Sequence, residues 1–150
     1  MSKLGRYSAD RKKVEELSAD KTVEVAECGT IFMLASGSAD YSVTLPTVAD
    51  AGQGWWAKFV LKTTNASNTD QVDIKQSTSD SVDIVNVTVL CGDQSDEVVG
   101  SGPVQIAADG VTFDISACVA GDTVELFTNG TKWYGQAITS GSAGVVKFDA

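Results

Sequence analysis

Two groups of acidic residues are the first candidates for chemistry in this sequence. Asp93, Asp96 and Glu97 lie in one glycine-bearing polar segment, and carboxylate oxygens are the ligands that Ca²⁺ prefers. Their spacing is not that of an EF-hand loop, so a solvated acidic loop is the favoured interpretation. Asp80 and Asp83 could supply the two carboxylates of glycosidic cleavage. Because residues three apart on a strand point to opposite faces, this pair does not predict a catalytic site.

The remaining residue types exclude the common catalytic arrangements. The chain has no histidine, which removes the usual general base and the commonest metal ligand together. Serine and cysteine nucleophiles therefore have no ordinary partner to activate them. Neither a phosphate-binding nor a dinucleotide-binding glycine motif occurs in the sequence. We therefore predict a protein that is not an enzyme, with no catalytic residues, no cofactor and no metal.

The cysteines indicate the compartment rather than the chemistry. The three residues Cys28, Cys91 and Cys118 are odd in number, and their spacings match no zinc or redox signature. No apolar segment of a signal peptide follows the basic N-terminus. We therefore expect a protein made in a cytoplasm, with all three cysteines as reduced thiols in the core.

Aromatic side chains are the remaining candidates for a binding surface. Trp55 and Trp56 are adjacent in the sequence, as are Trp133 and Tyr134, and successive residues of a strand face opposite sides. The apolar alternation over Trp55–Leu61 assigns Trp55 to the core. The outward members, Trp56 and Tyr134, could stack on a sugar ring or anchor a protein partner. The sequence leaves both uses open.

Short strands must position these residues. Apolar alternation and turn signals predict about ten or eleven strands with no helix between them. Because parallel strands usually need helical crossovers, the pattern predicts an all-β protein folded as an antiparallel β-sandwich, jelly-roll-like or Ig-like. Asp109-Gly110 and Asn129-Gly130 predict tight hairpins. The sequence shows no convincing tandem repeat.

The first 20 residues differ from the rest in charge and pattern. Residues 1–21 hold six basic and four acidic residues, a net charge of +2, whereas the remainder holds five basic and sixteen acidic residues, a net charge of −11. Ser8 is predicted to cap a short helix through Leu17. Residues 1–20 are expected to form an anchoring arm outside a β-sandwich domain of residues 21–150. An acidic body argues against nucleic acid as a partner, and no apolar run is long enough for a membrane span.

Three segments of the chain resemble proteins of bacteriophage particles. Ser42–Thr63 contains T-L-P, a loop of small residues, G-Q-G-W-W and F-V-L-K. Met1–Val25 looks like the start of such proteins from marine and freshwater phages. Gly121–Gly135, G-D-T-V-E-L-F-T-N-G-T-K-W-Y-G, is similar to the terminal hairpin of phage fibre and capsid accessory domains. Together they resemble the small β-structured decoration, or cement, proteins of tailed-phage heads.

This resemblance implies a structural protein on the outer surface of the virion capsid, made in the host cytoplasm. It would bind the major capsid protein lattice, associate with itself as a homotrimer and stabilise the head without chemistry. The alternative is a receptor- or glycan-binding domain of a phage tail fibre or spike, with the exposed aromatic residues in a sugar groove. A short chain with its own Met1 and no fibre shaft favours the first interpretation. The candidate interface residues are Arg6, Arg11, Lys12, Lys13, Trp56 and Tyr134.

Overall fold

A computed structural model describes seven segments of the chain, residues 12–35, 39–63, 71–80, 85–91, 104–114, 118–139 and 146–147. Within these segments the chain is all-β, as predicted, and its strands form two sheets. In chain order the strands are β1 (Val14–Leu17), β2 (Lys21–Thr22), β3 (Ile31–Leu34), β4 (Tyr41–Thr44), β5 (Gln53–Leu61), β6 (Gln71–Lys75), β7 (Val85–Cys91), β8 (Val104–Ala108), β9 (Gly110–Asp114), β10 (Thr123–Asn129), β11 (Trp133–Thr139) and β12 (Val146–Lys147). A 3₁₀ turn (Val25–Glu27) follows β2, and a single helical turn, α1 (Val48–Ala51), precedes β5.

Strand directions are mixed, so the prediction of a purely antiparallel arrangement is wrong. The larger sheet has the order β1-β3-β5-β10-β11-β7-β8, and the smaller sheet has the order β12-β9-β6-β4-β2. β1, β3 and β5 are parallel, and so are β2, β4 and β6. From β1 to β6 consecutive strands alternate between the sheets. Each strand therefore returns to its sheet in the same direction, with a strand of the other sheet in the place of a crossover helix.

The hairpin prediction at Asn129-Gly130 is confirmed. β10 and β11 pair antiparallel on either side of it. Asn129 Oδ1 accepts hydrogen bonds from the backbone N–H groups of Thr131 and Lys132, at 3.0 and 2.9 Å. Gly130 has φ 88°, which a residue with a side chain rarely adopts. This local chemistry fixes the turn without help from the rest of the fold.

The hairpin prediction at Asp109-Gly110 is wrong, because the chain changes sheet there. β8 pairs with β7 in the larger sheet, whereas β9 pairs with β6 in the smaller one. Gln76 holds the crossing in place, since its backbone N–H donates to Asp109 O at 2.9 Å and its side-chain amide donates to Asp109 Oδ1 at 2.6 Å. A Cβ on Gly110 would lie 2.6 Å from Ile74 O, so glycine is needed for close approach to β6 rather than for a two-residue turn.

Both sheets contribute to one hydrophobic core. The predicted inward residues of β5 are all buried, as are Val72 and Ile74 of β6. The Trp55 ring meets the Trp133 ring edge-on, with centroids 5.3 Å apart, and its indole N–H donates to Val25 O at 2.9 Å. The assignment of Trp55 to the core is therefore confirmed.

The N-terminal helix prediction is wrong for the part that the structure describes, residues 12–17, none of which is helical. Val14–Leu17 is a parallel edge strand, with Val14 opposite Ile31 and Leu17 opposite Leu34. An apolar spacing of three fits one helix face, but on a strand it places one residue outward and one inward. Val14 is 60% exposed and Leu17 only 7%. These residues therefore belong to the larger sheet rather than to an arm outside it, while residues 1–11 lie outside the described segments.

Candidate protein-binding face

The outward side of the larger sheet carries the candidate site. Strand alternation leaves Trp56 of β5, Phe127 of β10 and Tyr134 of β11 pointing away from the core. The strand register places Phe127 directly opposite both Trp56 and Tyr134. Three aromatic side chains therefore follow one another across three neighbouring strands. We call Trp56, Phe127 and Tyr134 the aromatic row.

Phe127, at the centre of the aromatic row, and Trp56, at one end, differ in their surroundings. Phe127 is 50% exposed and stacks on Tyr134, with ring centroids 5.9 Å apart and an interplanar angle of 27°. Trp56 is half-buried, because Gly29 lies against its indole ring and Lys12 Nζ lies 5.2 Å from the ring centroid. The row is therefore most exposed at Phe127, with Tyr134 stacked beside it.

A shallow groove of about 250 Å³ lies beside the aromatic row, over β10 and β11. Ile138, which is 53% exposed, forms one wall, and polar side chains from neighbouring strands lie across it. Gly135 lies at its floor, where a Cβ would come within 2.6 Å of Leu126 Cδ2. The groove is lined by Lys58, Thr123, Glu125, Phe127, Gly135, Gln136 and Ile138.

Charge on this face differs from the charge of the chain as a whole. Lys58 lies opposite Glu125 in the strand register, and Lys62 pairs with Glu16 at 2.6 Å. Lys12 lies over Trp56. Three lysines and two glutamates thus surround the apolar side chains, although the chain carries a net charge of −9.

The structure places the predicted interface residues in three groups. Lys12, Trp56 and Tyr134 lie on the outward face of the larger sheet. Lys13 lies apart, where it pairs with Glu15 at 3.1 Å. Arg6 and Arg11 fall outside the described residues, so nothing is added to their prediction.

Phe127 and Ile138 are two exposed apolar residues that sequence reasoning missed. The signal was present in the segment between Gly121 and Gly135, where Val124 and Leu126 alternate as core residues. Because Val124 and Leu126 face inward, the alternation along β10 makes Phe127 face outward. The pairing of β10 with β11 then places Phe127 beside Tyr134. The aromatic pairs drew attention because their members are adjacent in sequence, whereas Phe127 joins the row only through strand pairing.

A cluster of charged side chains lies at the edge of the fold, apart from the aromatic row. Lys13, Glu15, Lys21 and Glu27 form it, and Lys21 Nζ lies 2.8 Å from Glu27 Oε1 and 3.1 Å from Glu15 Oε1. Burial opposes ionisation of Glu27, but the Glu24 N–H and the Lys21 ammonium together lower its pKa. The hydrogen bond from Lys21 to Glu27 raises the pKa of Lys21. These groups satisfy one another, which suits a structural role better than a catalytic one.

Asp80 is the described member of the predicted carboxylate pair. It accepts hydrogen bonds from the Val48 N–H, at 3.3 and 3.4 Å, and burial raises its pKa. It therefore helps to hold the start of α1, where Thr47 Oγ1 also accepts from the Asp50 N–H at 3.1 Å. Asp83 lies outside the described residues, as does the acidic segment of Asp93, Asp96 and Glu97. Within the described segments no three cysteine or carboxylate groups are placed to hold a metal ion.

The cysteines divide between surface and core. Cys118 is buried, as expected, whereas Cys28 is exposed in the turn after the 3₁₀ segment, so the expectation of a core thiol is wrong for Cys28. The chain is bonded to the larger sheet just after Cys28, where the Gly29 N–H donates to Trp56 O at 2.7 Å. Cys91 ends β7, and its side chain is outside the description.

No protein family, curated protein or solved structure matches this chain significantly. Among the helical segments that the structure describes, none is long and apolar enough to cross a membrane. The geometry of the outward face therefore carries the functional argument.

Proposed function

We propose that this chain is a non-enzymatic structural protein that binds other protein subunits through the outward face of its larger sheet. The observation that carries the proposal is the aromatic row with Ile138 beside it, half exposed on a rigid sheet. Exposed apolar patches mark interaction sites on soluble proteins, and aromatic side chains dominate the binding energy of many interfaces. Interspersed lysine and glutamate side chains suit the polar rim of such an interface.

The proposed partner is the major capsid protein lattice of a tailed phage, and the proposed location is the outer surface of the capsid. The resemblance of three segments of the chain to head decoration proteins supports this choice. Binding to the assembled shell would stabilise it by mass action, because the ligand favours the state that it binds. Threefold positions of such a lattice favour a homotrimer. Neither a nucleic acid nor a membrane is needed.

A sandwich arrangement of the two sheets belongs to the same proposal. The core shared by both sheets supports it, since sandwiches bury the inner faces of two sheets against each other. The Ig-like and jelly-roll-like topologies are built from antiparallel pairs. The parallel pairs among β1 to β6 depart from both, so the proposed sandwich has a connectivity of its own.

Cosedimentation with purified capsids tests the proposed partner. The double variant Phe127→Ser/Ile138→Ser removes the two most exposed apolar side chains of β10 and β11. We expect its apparent Kd to rise by about a hundredfold, which corresponds to about 1.4 kcal/mol for each of two energetically important interface residues. The matched control is Val119→Ser, because Val119 is an exposed apolar residue too, at 43%, but lies in the loop before β10. A double variant that saturates capsids at the wild-type concentration would refute the proposal.

The groove gives specific support to the alternative, a glycan-binding domain of a tail fibre or spike. Lys58, Glu125 and Gln136 place charged and amide groups beside Phe127, and sugars bind to such combinations of aromatic and polar groups. Titration with capsular and cell-wall oligosaccharides, followed by isothermal calorimetry, tests it. Saturable heat that disappears in Gln136→Ala and persists in Val119→Ser would favour the glycan function. No heat with wild-type protein would exclude those glycans as ligands.

A further inference from the structure

Strand β1 completes the edge of the larger sheet with little apolar burial. Among its four residues, Leu17 alone is buried, whereas Val14 and Glu16 are exposed. Its backbone is bonded to the rest of the chain, since the N–H groups of Ile31 and Ala35 donate to Lys13 O and Leu17 O at 2.9 and 2.8 Å. Tyr41 Oη also donates to Leu17 O at 3.2 Å. Burial of apolar side chains therefore contributes little to the attachment of β1 to the sheet, because Leu17 is its only buried residue.

Charged side chains supply a further attachment. Lys13 and Glu15 belong to the β1 segment, while Lys21 and Glu27 belong to β2 and the 3₁₀ turn. Lys21 Nζ reaches Glu15 Oε1 at 3.1 Å, and Lys13 Nζ reaches Glu27 Oε1 at 3.5 Å. Both contacts join the β1 segment to the chain that follows it. We call Lys13, Glu15, Lys21 and Glu27 the charge latch.

The charge latch lies where the edge strands of the two sheets, β1 and β2, come together. Glu15 lies opposite Phe32 in the register of the larger sheet, and Lys21 lies opposite Val43 in that of the smaller sheet. Phe32 and Val43 are completely buried. β1 and β2 are the edge strands next to Phe32 and Val43, and at these positions they carry the charged residues Glu15 and Lys21. The two side chains meet between the sheets, where Lys21 Nζ lies 3.1 Å from Glu15 Oε1. Inward-pointing charges at a sheet edge discourage another strand from adding there.

We propose that β1 is a releasable edge strand that the charge latch holds on the sheet, and that it leaves while the remainder stays folded. Attachment through ion pairs is weakened by salt, whereas attachment through apolar burial is not. Release would uncover the backbone edge of β3. This inference concerns the monomer and does not depend on the proposed capsid partner.

Amide hydrogen exchange, followed residue by residue by NMR, tests the proposal on the wild-type protein. The amides of Ile31 and Ala35 face β1, whereas the amides of Lys58 and Lys62 donate to Thr30 O and Leu34 O on the opposite side of β3. Raising the salt concentration to about 1 M should accelerate exchange at Ile31 and Ala35 by about tenfold. Exchange at Lys58 and Lys62 should stay unchanged.

Glu27→Gln isolates the charge of the latch. Glutamine keeps an oxygen that can accept the hydrogen bond now made by the Glu24 N–H at 2.7 Å, but it loses the ionic attraction to Lys13 of the β1 segment and to Lys21. We expect exchange at Ile31 and Ala35 to be faster than in the wild type at low salt and less sensitive to added salt, while the remaining Lys21–Glu15 contact keeps part of the salt dependence. The control is Glu16→Gln, which removes an exposed ion pair from the same strand and should change these rates less than about twofold.

Two outcomes would overturn the proposal. One is exchange at Ile31 and Ala35 that matches Lys58 and Lys62 in rate and denaturant dependence, because β1 would then open only with the whole sheet. The other is an absence of salt dependence in the wild type. If Glu27→Gln fails to fold, Lys13→Gln removes the more exposed half of the latch and should give the same selective acceleration.

Discussion

The outward faces of the two sheets are built from different residues. On the smaller sheet, the outward positions of β4, β6 and β9 are polar, and Thr112 Oγ1 donates to Asp73 Oδ1 across two strands at 2.7 Å. On the larger sheet, the outward positions of β5, β10 and β11 include the aromatic row and Ile138. Inward and outward residues alternate along the strands of both sheets. Since the smaller sheet forms with polar residues at its outward positions, aromatic residues at those positions are not needed to form strands. The polar outward residues of the smaller sheet are Ser42, Thr44, Gln71, Asp73, Lys75 and Thr112.

This difference separates residues that stabilise the fold from residues available for binding. Polar outward side chains keep a sheet face compatible with water. An exposed aromatic row gains little on folding, because half of Phe127 remains in contact with solvent. We therefore expect substitutions on the outward face of the larger sheet to affect association more than stability.

The largest expected effect distinguishes the inner from the outer face of β5. Trp55→Ala should lower the free energy of unfolding by about 3–5 kcal/mol, because it creates a cavity beside Trp133 and removes the hydrogen bond to Val25 O. Trp56→Ala should lower it by only about 1 kcal/mol, since its side chain is half-buried. Urea unfolding of the two variants measures both values. Equal losses would contradict the division between the faces.

The next effect concerns the contact between β10 and β11. Gly135→Ala places a Cβ 2.6 Å from Leu126 Cδ2 and against the β10 backbone. Overpacking of this kind should lower the free energy of unfolding by about 1–3 kcal/mol. Thermal unfolding followed by circular dichroism measures it. A variant as stable as the wild type would mean that the two strands separate readily, and the aromatic row would then lack a rigid support.

A smaller effect is expected on the outward face of the smaller sheet. Thr112→Val removes the hydrogen bond to Asp73 and leaves that carboxylate without its threonine donor. The free energy of unfolding should fall by about 1 kcal/mol, with no change in capsid binding. Denaturant unfolding and cosedimentation give the two readings. Weakened binding without loss of stability would show that both outward faces contact the partner.

The smallest effect is a dependence of stability on acid pH. Because the pKa of Glu27 lies below its ordinary value of 4.5 in the folded protein, the group stabilises the fold above that pH. Its contribution is lost as the pH falls through the lowered pKa. The groups that face it are Lys13, Glu15 and Lys21, with the Glu24 N–H. Urea unfolding between pH 7 and pH 3 should show a weaker pH dependence in Glu27→Gln than in the wild type, and identical slopes would contradict this assignment.

Local signals predicted the parts of the fold that local chemistry determines. The alternation over Trp55–Leu61 defines a strand with one buried face, and Asn129-Gly130 defines a turn whose hydrogen bonds stay within four residues. Asp109-Gly110 has the same dipeptide chemistry, but its conformation is set by Gln76, which is distant in sequence. The helix predicted through Leu17 failed for a related reason, since the edge of β3 supplies the hydrogen bonds that β1 uses.

A repeated motif could have indicated the parallel pairing. The tripeptide Ser-Ala-Asp occurs three times, at Ser8–Asp10, Ser18–Asp20 and Ser38–Asp40, and the second and third copies stand directly before β2 and β4. Asp20 Oδ1 accepts from the Ser42 N–H at 2.8 Å, and Asp40 Oδ1 accepts from the Gln71 N–H at 2.7 Å. Each aspartate thus binds the start of the next strand in the smaller sheet. The prediction of no repeat overlooked this signal, because three residues are too few to stand out without the strands that they introduce.

Oxidative footprinting on assembled capsids tests the central claim most directly. Hydroxyl radicals modify exposed aromatic and aliphatic side chains, so modification can be compared at Phe127, Tyr134, Ile138 and the control residue Val119 in free and capsid-bound protein. We predict that binding protects Phe127, Tyr134 and Ile138 and leaves Val119 equally reactive. Unchanged reactivity of the aromatic row in protein that has bound the capsid would contradict the claim that this face makes the contact.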